Sequence, residues 1–455
     1  MSLQTPDKIR NFQRKLYLKA KSEPDYRFYL LYDKIYRDDI LTHAYRLAKA
    51  NRGACGVDGI TFAQIESQGV DQWLSGIREQ LHKKTYKPQP VRRVMIPKPN
   101  GGQRPLGIPT ICDRVVQAAT KLILEPIFEA DLEPNVYGYR PKRSALDAIS
   151  MVHRLLCQGY TEVVDADLSK YFDTIDHQQL MKCVARRVSD RNILRLIKLW
   201  LRVPVVEEDK DGNNRFVGGK KSRRGTPQGG VLSPLLANLY MNRFMKYWRI
   251  KGCDKTFRAQ IVNYADDFVI LSRYRAAQSL AWVETVVIRL GLSLNPEKTV
   301  IKDARIETFD FLGYTFGRMR FKKDGTWYMG ARPSKKSIRR IKQKVRQYLG
   351  PYQKGPWPVV CYHLNSILRG WCGYFCYGTT QIASRAVERN VYNRVRRFLV
   401  MRHKLRSRGN RRFPSERIFG ELGVLLPRSI MGAARRVSLG ESSRKAGCGR
   451  SARPV

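Results

Sequence analysis

Ile261-Val262-Asn263-Tyr264-Ala265-Asp266-Asp267-Phe268-Val269-Ile270-Leu271 is an apolar run broken once by a short polar turn, and it reads as two strands joined by a tight hairpin. Turns favour Asp, so an Asp-Asp pair there is by itself an ordinary polar corner. Adjacent carboxylates between apolar strands also repel each other, and a hard cation such as Mg²⁺ relieves that repulsion through carboxylate oxygens. A second acidic run lies upstream, Val163-Val164-Asp165-Ala166-Asp167-Leu168-Ser169-Lys170-Tyr171-Phe172-Asp173. On a strand, period two sets Asp165 and Asp167 on one face. One carboxylate from this run and one or two from the hairpin suffice for a pair of Mg²⁺ ions about 3.5–4 Å apart, the arrangement that serves phosphoryl transfer.

The whole chain is strongly basic. Its 455 residues carry 85 Lys plus Arg against 39 Asp plus Glu, a net charge of +46. A charge excess is ordinarily a solvated surface, but one this large calls for a polyanion to offset self-repulsion. Nucleic acid is the expected partner, with counterion release supplying much of the affinity. An anionic membrane surface is the weaker alternative, since no run of about 18 apolar residues and no signal peptide is visible. Nine scattered Cys indicate reduced thiols and a cytoplasmic protein. Cys372 and Cys376, with His363 nearby, are better read as core residues of an aromatic segment than as zinc ligands, for want of a second ligand pair.

The length implies more than one domain, and charge and pattern divide the chain. Ala331 to Val455 holds 29 Lys plus Arg and four Glu, which is +25 of the +46. Before it, Arg114 to Phe128 has a helical pattern with Val115, Ala118, Ala119, Leu122 and Ile123 on one side. Thr161 to Leu168 and Phe309 to Phe316 read as strands. Ser233-Pro234 reads as an N-cap followed by proline at the first helical position. In the rear part, Ile338, Ile341, Val345 and Leu349 share a helix face, with Arg339 and Arg340 largely off it. Val391, Val395 and Phe398 repeat that arrangement around Arg394, Arg396 and Arg397. These are amphipathic helices with basic outer faces, suited to RNA. The last stretch, rich in Ser, Gly and Arg, reads as a flexible tail.

Further blocks stand in order along the chain: Gly56-Val57-Asp58-Gly59, Arg104-Pro105-Leu106-Gly107-Ile108-Pro109, Tyr137-Gly138-Tyr139-Arg140-Pro141, the Asp167 run, and Gly225-Thr226-Pro227-Gln228-Gly229-Gly230 through Asn238. After Tyr264 to Asp267 come Leu294-Asn295-Pro296-Glu297-Lys298-Thr299 and Phe311-Leu312-Gly313-Tyr314. From about Tyr32 to about Leu426 the sequence resembles the reverse transcriptase/maturases of group II introns. That resemblance implies an α+β right-hand polymerase, with fingers and palm over 1–330 and an antiparallel palm sheet. A helical thumb or maturase domain over 331–400, a basic nucleic-acid-binding region over 401–440 and a tail over 441–455 would follow. It implies an RNA-directed DNA polymerase that also binds its intron RNA to promote splicing and mobility. Its partners would be that RNA, an RNA template, a DNA primer, target DNA and deoxynucleoside triphosphates (dNTPs); a homodimer is left open.

The resemblance also assigns roles. Asp167, Asp266 and Asp267 would be the catalytic, Mg²⁺-holding carboxylates, Asp167 being preferred to Asp165 because an aromatic follows five residues later. That aromatic, Phe172, would lie under the sugar and exclude a 2′-hydroxyl; plain core packing is the alternative. Lys98 and Arg104 flank Pro99-Asn100-Gly101-Gly102 and would grip the triphosphate, or else bind template backbone. Gln228 and Gly229 would sit beside nucleotide and template, Gly229 permitting close backbone approach, unless the segment is a simple turn. Lys298 would protonate the leaving pyrophosphate, or be an exposed turn lysine. Phe311 to Tyr314 resembles a primer grip, with packing an equal reading. Arg369, in Leu368-Arg369-Gly370-Trp371, joins Arg339, Arg340, Arg394, Arg396 and Arg397 as an RNA-binding residue. Many relatives carry a zinc-binding endonuclease module; with Cys448 the only Cys after Cys376, it is expected to be absent. The alternatives are a domesticated reverse transcriptase (retron, diversity-generating or CRISPR-linked), an RNA-binding splicing factor without catalysis, or an RNA-templated RNA polymerase.

Overall fold

The computed structural model describes residues 3–97, 102–208, 214–219, 221–227, 229–321 and 324–434. Eleven strands are present among them: β1 (Val91–Pro97), β2 (Gln103–Ile108), β3 (Glu162–Asp167), β4 (Pro204–Glu208), β5 (Asn214–Gly218), β6 (Ala259–Tyr264), β7 (Asp267–Ser272), β8 (Val300–Asp303), β9 (Phe309–Phe311), β10 (Tyr314–Arg320) and β11 (Trp327–Pro333). They form three sheets, ordered β2-β1-β4-β5, β6-β7-β3-β8 and β11-β10-β9. In the first, β1 runs antiparallel to β2 and parallel to β4, with Ile96 opposite Arg104. The third is antiparallel throughout. Helices fill the rest, giving a mixed α+β architecture of the polymerase kind.

The described chain divides into two compact units. One draws on Met1–Ser144, Ala166–Ile270 and Ala277–Val300, the other on Ala145–Asp165, Leu271–Ala276 and Ile301–Val455. In the first, the helix Ile111–Glu129 is started by Thr110, whose hydroxyl accepts the Asp113 N–H at 3.1 Å. The expected apolar side is buried, but so are Asp113, Arg114, Gln117 and Thr120. The helix is therefore central and covered nearly all round, so its polar positions must find partners. Gln117 does so by accepting the Val231 N–H at 2.9 Å. The helix Ser233–Ile250 is similarly enclosed. Here the expected cap is corrected: Ser233 is the first helical residue, and its hydroxyl donates to the Pro227 carbonyl at 2.8 Å instead of capping.

In the second unit, Ile341 and Val345 from Lys335–Tyr348, Leu364 and Leu368 from Trp357–Tyr374, and Val391, Val395 and Phe398 from Gln381–Arg402 form one core, as their spacing predicts. The segment Phe309 to Phe316 is not one strand but two. Leu312 and Gly313 both have positive φ (48° and 80°) and turn β9 into β10. Phe309 then stacks on Phe316 with ring centroids 5.4 Å apart.

Candidate active site

The carboxylate hairpin is held from beneath by a buried amide. β6 ends at Tyr264, Ala265 takes the left-handed conformation at φ 61°, and β7 begins at Asp267. Ala265 lacks the glycine that would make this conformation free, so its neighbours must impose it. Asn263, 0% exposed, does so by donating from Nδ2 to the Ala265 carbonyl at 2.8 Å. The Asn263 backbone is fixed in turn, its N–H donating to Asn135 O at 3.0 Å and its carbonyl accepting from Tyr137 N–H at 2.8 Å. Next to it, a Cβ on Gly138 would lie 2.4 Å from the Ala265 nitrogen, so only glycine fits there. The Gly138 carbonyl accepts from buried Asn238 at 2.6 Å. Arg140 anchors the same segment through Glu129 (2.6 Å) and the carbonyls of Glu133 and Val136.

Asp167 closes β3 and meets the segment from Leu294 to Thr299. Its carbonyl accepts the Asn295 N–H at 2.8 Å, and its carboxylate accepts from Lys298 Nζ at 2.8 Å and Asn295 Nδ2 at 3.4 Å. The Asp167 hydrogen bond holds the Lys298 pKa above its ordinary value; partial burial opposes this, and the charges of Asp167, Asp267 and Asp266 add to it. One ammonium thus stands in the joint field of all three carboxylates. The donors are hard oxygens of the kind a divalent cation selects. Among the described residues, no three such side chains converge as a finished metal cage. The Lys298 side chain is 64% exposed, so its pairing with Asp167 is worth only about 0–1 kcal/mol and is easily exchanged.

Other expected residues gather around this centre. Tyr139, at φ 54°, has its pKa raised by burial and by the Asp266 charge, while Arg104 opposes the shift. Gly229, at φ 112°, passes so close to β2 that a Cβ would lie 2.1 Å from the Gly107 carbonyl; the close approach is to protein backbone. Phe172 is 7% exposed, and its carbonyl accepts the Thr226 N–H at 2.7 Å. Lys98 and Gln228 lie outside the described residues. In the second unit, Arg394 and Arg397 line a cleft with Arg346, Lys354 and Arg402, floored by Phe398 and without an acidic side chain. Arg339, Arg340 and Arg369 are exposed elsewhere, and Arg396 lies over the Tyr392 ring. Phe311 and Tyr314 are packed inside, the Tyr314 hydroxyl donating to the Tyr374 carbonyl at 2.7 Å.

Sequence reasoning missed Asn263, Gly138, Asn238 and Asn295. Gly138, Asn238 and Asn295 stood in quoted blocks without a role. A buried-type position filled by Asn immediately before the hairpin was the only available signal for Asn263.

Comparison with known proteins agrees with this layout. A family model described as "Reverse transcriptase (RNA-dependent DNA polymerase)" matches residues 96–316, and one described as "Group II intron, maturase-specific domain" matches 338–413. Protein YkfC of Escherichia coli is 35% identical over 349 residues, which are 69% of this chain and 89% of YkfC. Group II intron-encoded protein LtrA of Lactococcus lactis is 28% identical over 392 residues, 71% of this chain and 63% of LtrA. The putative COX1/OXI3 intron 2 protein of Saccharomyces cerevisiae is 28% identical over 335 residues, 60% of this chain and 37% of that protein. The chain therefore spans most of YkfC but less than two thirds of the other two. With a polymerase match followed by a maturase match on a single chain, and a relative 35% identical over most of its own length, this protein belongs to the group II intron reverse transcriptase/maturase family.

Proposed function

We infer that the chain is an RNA-directed DNA polymerase that also binds its group II intron RNA to promote splicing and mobility. What supports the polymerase reading is that β3, which ends in Asp167, lies beside β7, which begins at Asp267, with Lys298 Nζ donating to the Asp167 carboxylate at 2.8 Å. In this reading, β1, β2, β4 and β5 belong to the fingers, β6, β7, β3 and β8 to the palm, and the helices from Lys335 onward to the thumb. The sequence-based division at 330, 400 and 440 is kept as the functional one.

Asp167, Asp266 and Asp267 are the residues that would hold Mg²⁺. When bound, a pair of such ions supplies electrostatic stabilisation of the attacking and leaving oxygens. The buried scaffold of Asn263 and Gly138 keeps Asp266 and Asp267 in place without reorganisation, which is where preorganised catalysis gains its advantage. Lys298 retains its proton at neutral pH and can present it to the leaving pyrophosphate. Arg104, with Lys98, offsets triphosphate charge at the β1–β2 ribbon. Phe172, fixed through its carbonyl to Thr226, supplies the sugar-facing wall, with Gln228 and Gly229 beside the nucleotide. Arg339, Arg340, Arg369, Arg394, Arg396 and Arg397 serve the RNA backbone.

Primer extension on an RNA template with Mg²⁺ tests the reading. The wild-type chain is expected to extend with dNTPs, and Asp266→Ala to lose about a hundred- to a thousandfold, the scale of a lost electrostatic element. Failure of the wild type to extend any primer would leave a splicing factor without catalysis.

A further inference from the structure

One peptide plane in the first unit is gripped at both ends. The Gly225 carbonyl accepts from His177 Nε2 at 2.6 Å, and the Thr226 N–H donates to the Phe172 carbonyl at 2.7 Å. These two groups belong to the same planar peptide unit, in which a trans C=O and N–H point opposite ways. A carbonyl only accepts, so Nε2 of His177 carries the hydrogen. His177 is 6% exposed, and its Nδ1 has no partner among the described residues, so the ring's polar function there is the bond to Gly225.

The ring is itself held in place. His177 opens the helix His177–Ala185, which Asp176 caps by accepting the Gln179 N–H at 2.8 Å. Its own N–H donates to the Arg223 carbonyl at 2.9 Å, and the Gly225 N–H donates to the Ile175 carbonyl at 2.8 Å. Residues 172–177 therefore lie alongside 223–226. Gly225 has φ 90°, and as glycine it offers little resistance to rotation of the plane that follows it. The direction of that plane is set by its two hydrogen bonds, and turning it breaks both at once. Downstream, Ser233 already anchors the segment at the Pro227 carbonyl, so His177 supplies the upstream hold.

We propose that His177 is a positioning residue for sugar selection: through the Gly225–Thr226 peptide it holds Phe172 where the ring rejects a 2′-hydroxyl. The inference rests on the reading of Phe172 as the sugar-facing wall. Steric rejection is steep in distance, so a small retreat of the Phe172 backbone makes room for one oxygen atom. His177 acts through Phe172 and not on the nucleotide. Its ring bonds Gly225 and none of the carboxylates, so its loss bears on which sugar is accepted more than on the chemical step.

The test uses the full chain on an RNA template with an annealed DNA primer and Mg²⁺. It compares kcat/KM for a dNTP with that for the ribonucleoside triphosphate of the same base. His177→Ala is expected to lower the deoxy-over-ribo ratio by about tenfold, within the coupling range of one hydrogen-bonded network, chiefly through a rise in ribonucleotide use. A merely structural role would lower both values together and leave the ratio unchanged, which would overturn the proposal. His177→Gln carries an amide donor at the reach of Nε2 and should bring the ratio back to within about threefold of wild type. Phe172→Ala should lose more, and adding His177→Ala to it should change the ratio by less than about twofold, since one residue acts through the other. Full additivity of the two would overturn the relay. A wild-type ratio in Phe172→Ala would sink the wall reading, whereas a loss there with none in His177→Ala would sink the role of His177 alone. Hydrogen exchange reads the relay without catalysis. The Thr226 amide should exchange about tenfold faster in His177→Ala, and unchanged protection would also overturn the proposal. If wild type extends no primer, the polymerase reading falls and sugar selection with it, while the exchange result still decides whether His177 anchors the peptide.

Discussion

At the scale of single residues, the carboxylate hairpin depends on groups that never touch substrate. Ala265 sits in a conformation that costs an L-residue roughly 1–2 kcal/mol. Asn263 and Gly138 are what hold it there. A methyl group on Gly138 meets the backbone at Ala265 and the Tyr264 carbonyl carbon, neither of which can rotate away. Gly138→Ala is therefore expected to destabilise the fold by about 1–3 kcal/mol. Its greater effect should be on extension, by about a hundredfold, because a displacement near 1 Å at the reacting centre has that cost. Asn263→Ala strands the buried Ala265 carbonyl and should cost about 1–3 kcal/mol. Steady-state kinetics should place the loss of both variants in kcat, with the KM for nucleotide little changed. A rise in KM alone would show that the hairpin is positioned by other means.

At the scale of elements, one aspartate joins the N-terminal part of the chain to the helix Arg191–Leu201. Asp190 caps that helix through Oδ1, accepting the N–H groups of Asn192 at 2.9 Å and Ile193 at 3.2 Å. Its Oδ2 accepts those of Leu31 at 2.9 Å and Tyr32 at 2.8 Å. Asp190 is buried, so its removal leaves four N–H groups without that acceptor. An ordinary cap is worth about 1 kcal/mol. Asp190→Ala should cost about 2–4 kcal/mol, because the two donors of the distant segment are also buried. Urea unfolding measures this, and a loss no larger than an ordinary cap would show that Leu31 and Tyr32 find other acceptors.

At the scale of the whole molecule, charge and metal make separate demands. A net charge of +46 is a property of the unbound chain that a bound polyanion relieves. Among the described residues no helix is long and apolar enough to cross a membrane. In the proposed reading, metal acts at the carboxylates. Cys372 and Cys376 are both buried; burial pushes the Cys372 thiol up to about 12, and Cys376 Sγ donates to the Gly373 carbonyl at 3.2 Å. They serve the core of the second unit. Chelation with EDTA is thus expected to stop primer extension while leaving the thermal unfolding midpoint within about a degree. A fall of several degrees, about 1 kcal/mol or more for a domain of this size, would reveal a structural metal.

Local pattern and motif order already determined the family and the rear helices of this protein. Apolar period, turn residues and basic faces are encoded within a few positions, and Ile341, Val345, Val391 and Val395 are buried as their spacing requires. The two strands around Asp266 were legible for the same reason. What only the tertiary structure decided is what lies behind and beside those motifs. Asn263 reaching Ala265, Gly138 yielding room to the hairpin and Lys298 crossing to Asp167 join residues whose sequence separation reaches 131 positions. The division of Phe309 to Phe316 at two positive-φ residues, and the meeting of Lys182, Lys198 and Arg202 at one cleft, are likewise invisible to periodicity. Close approach and pooled charge are properties of surfaces brought together by folding, and no local signal specifies which surfaces will meet.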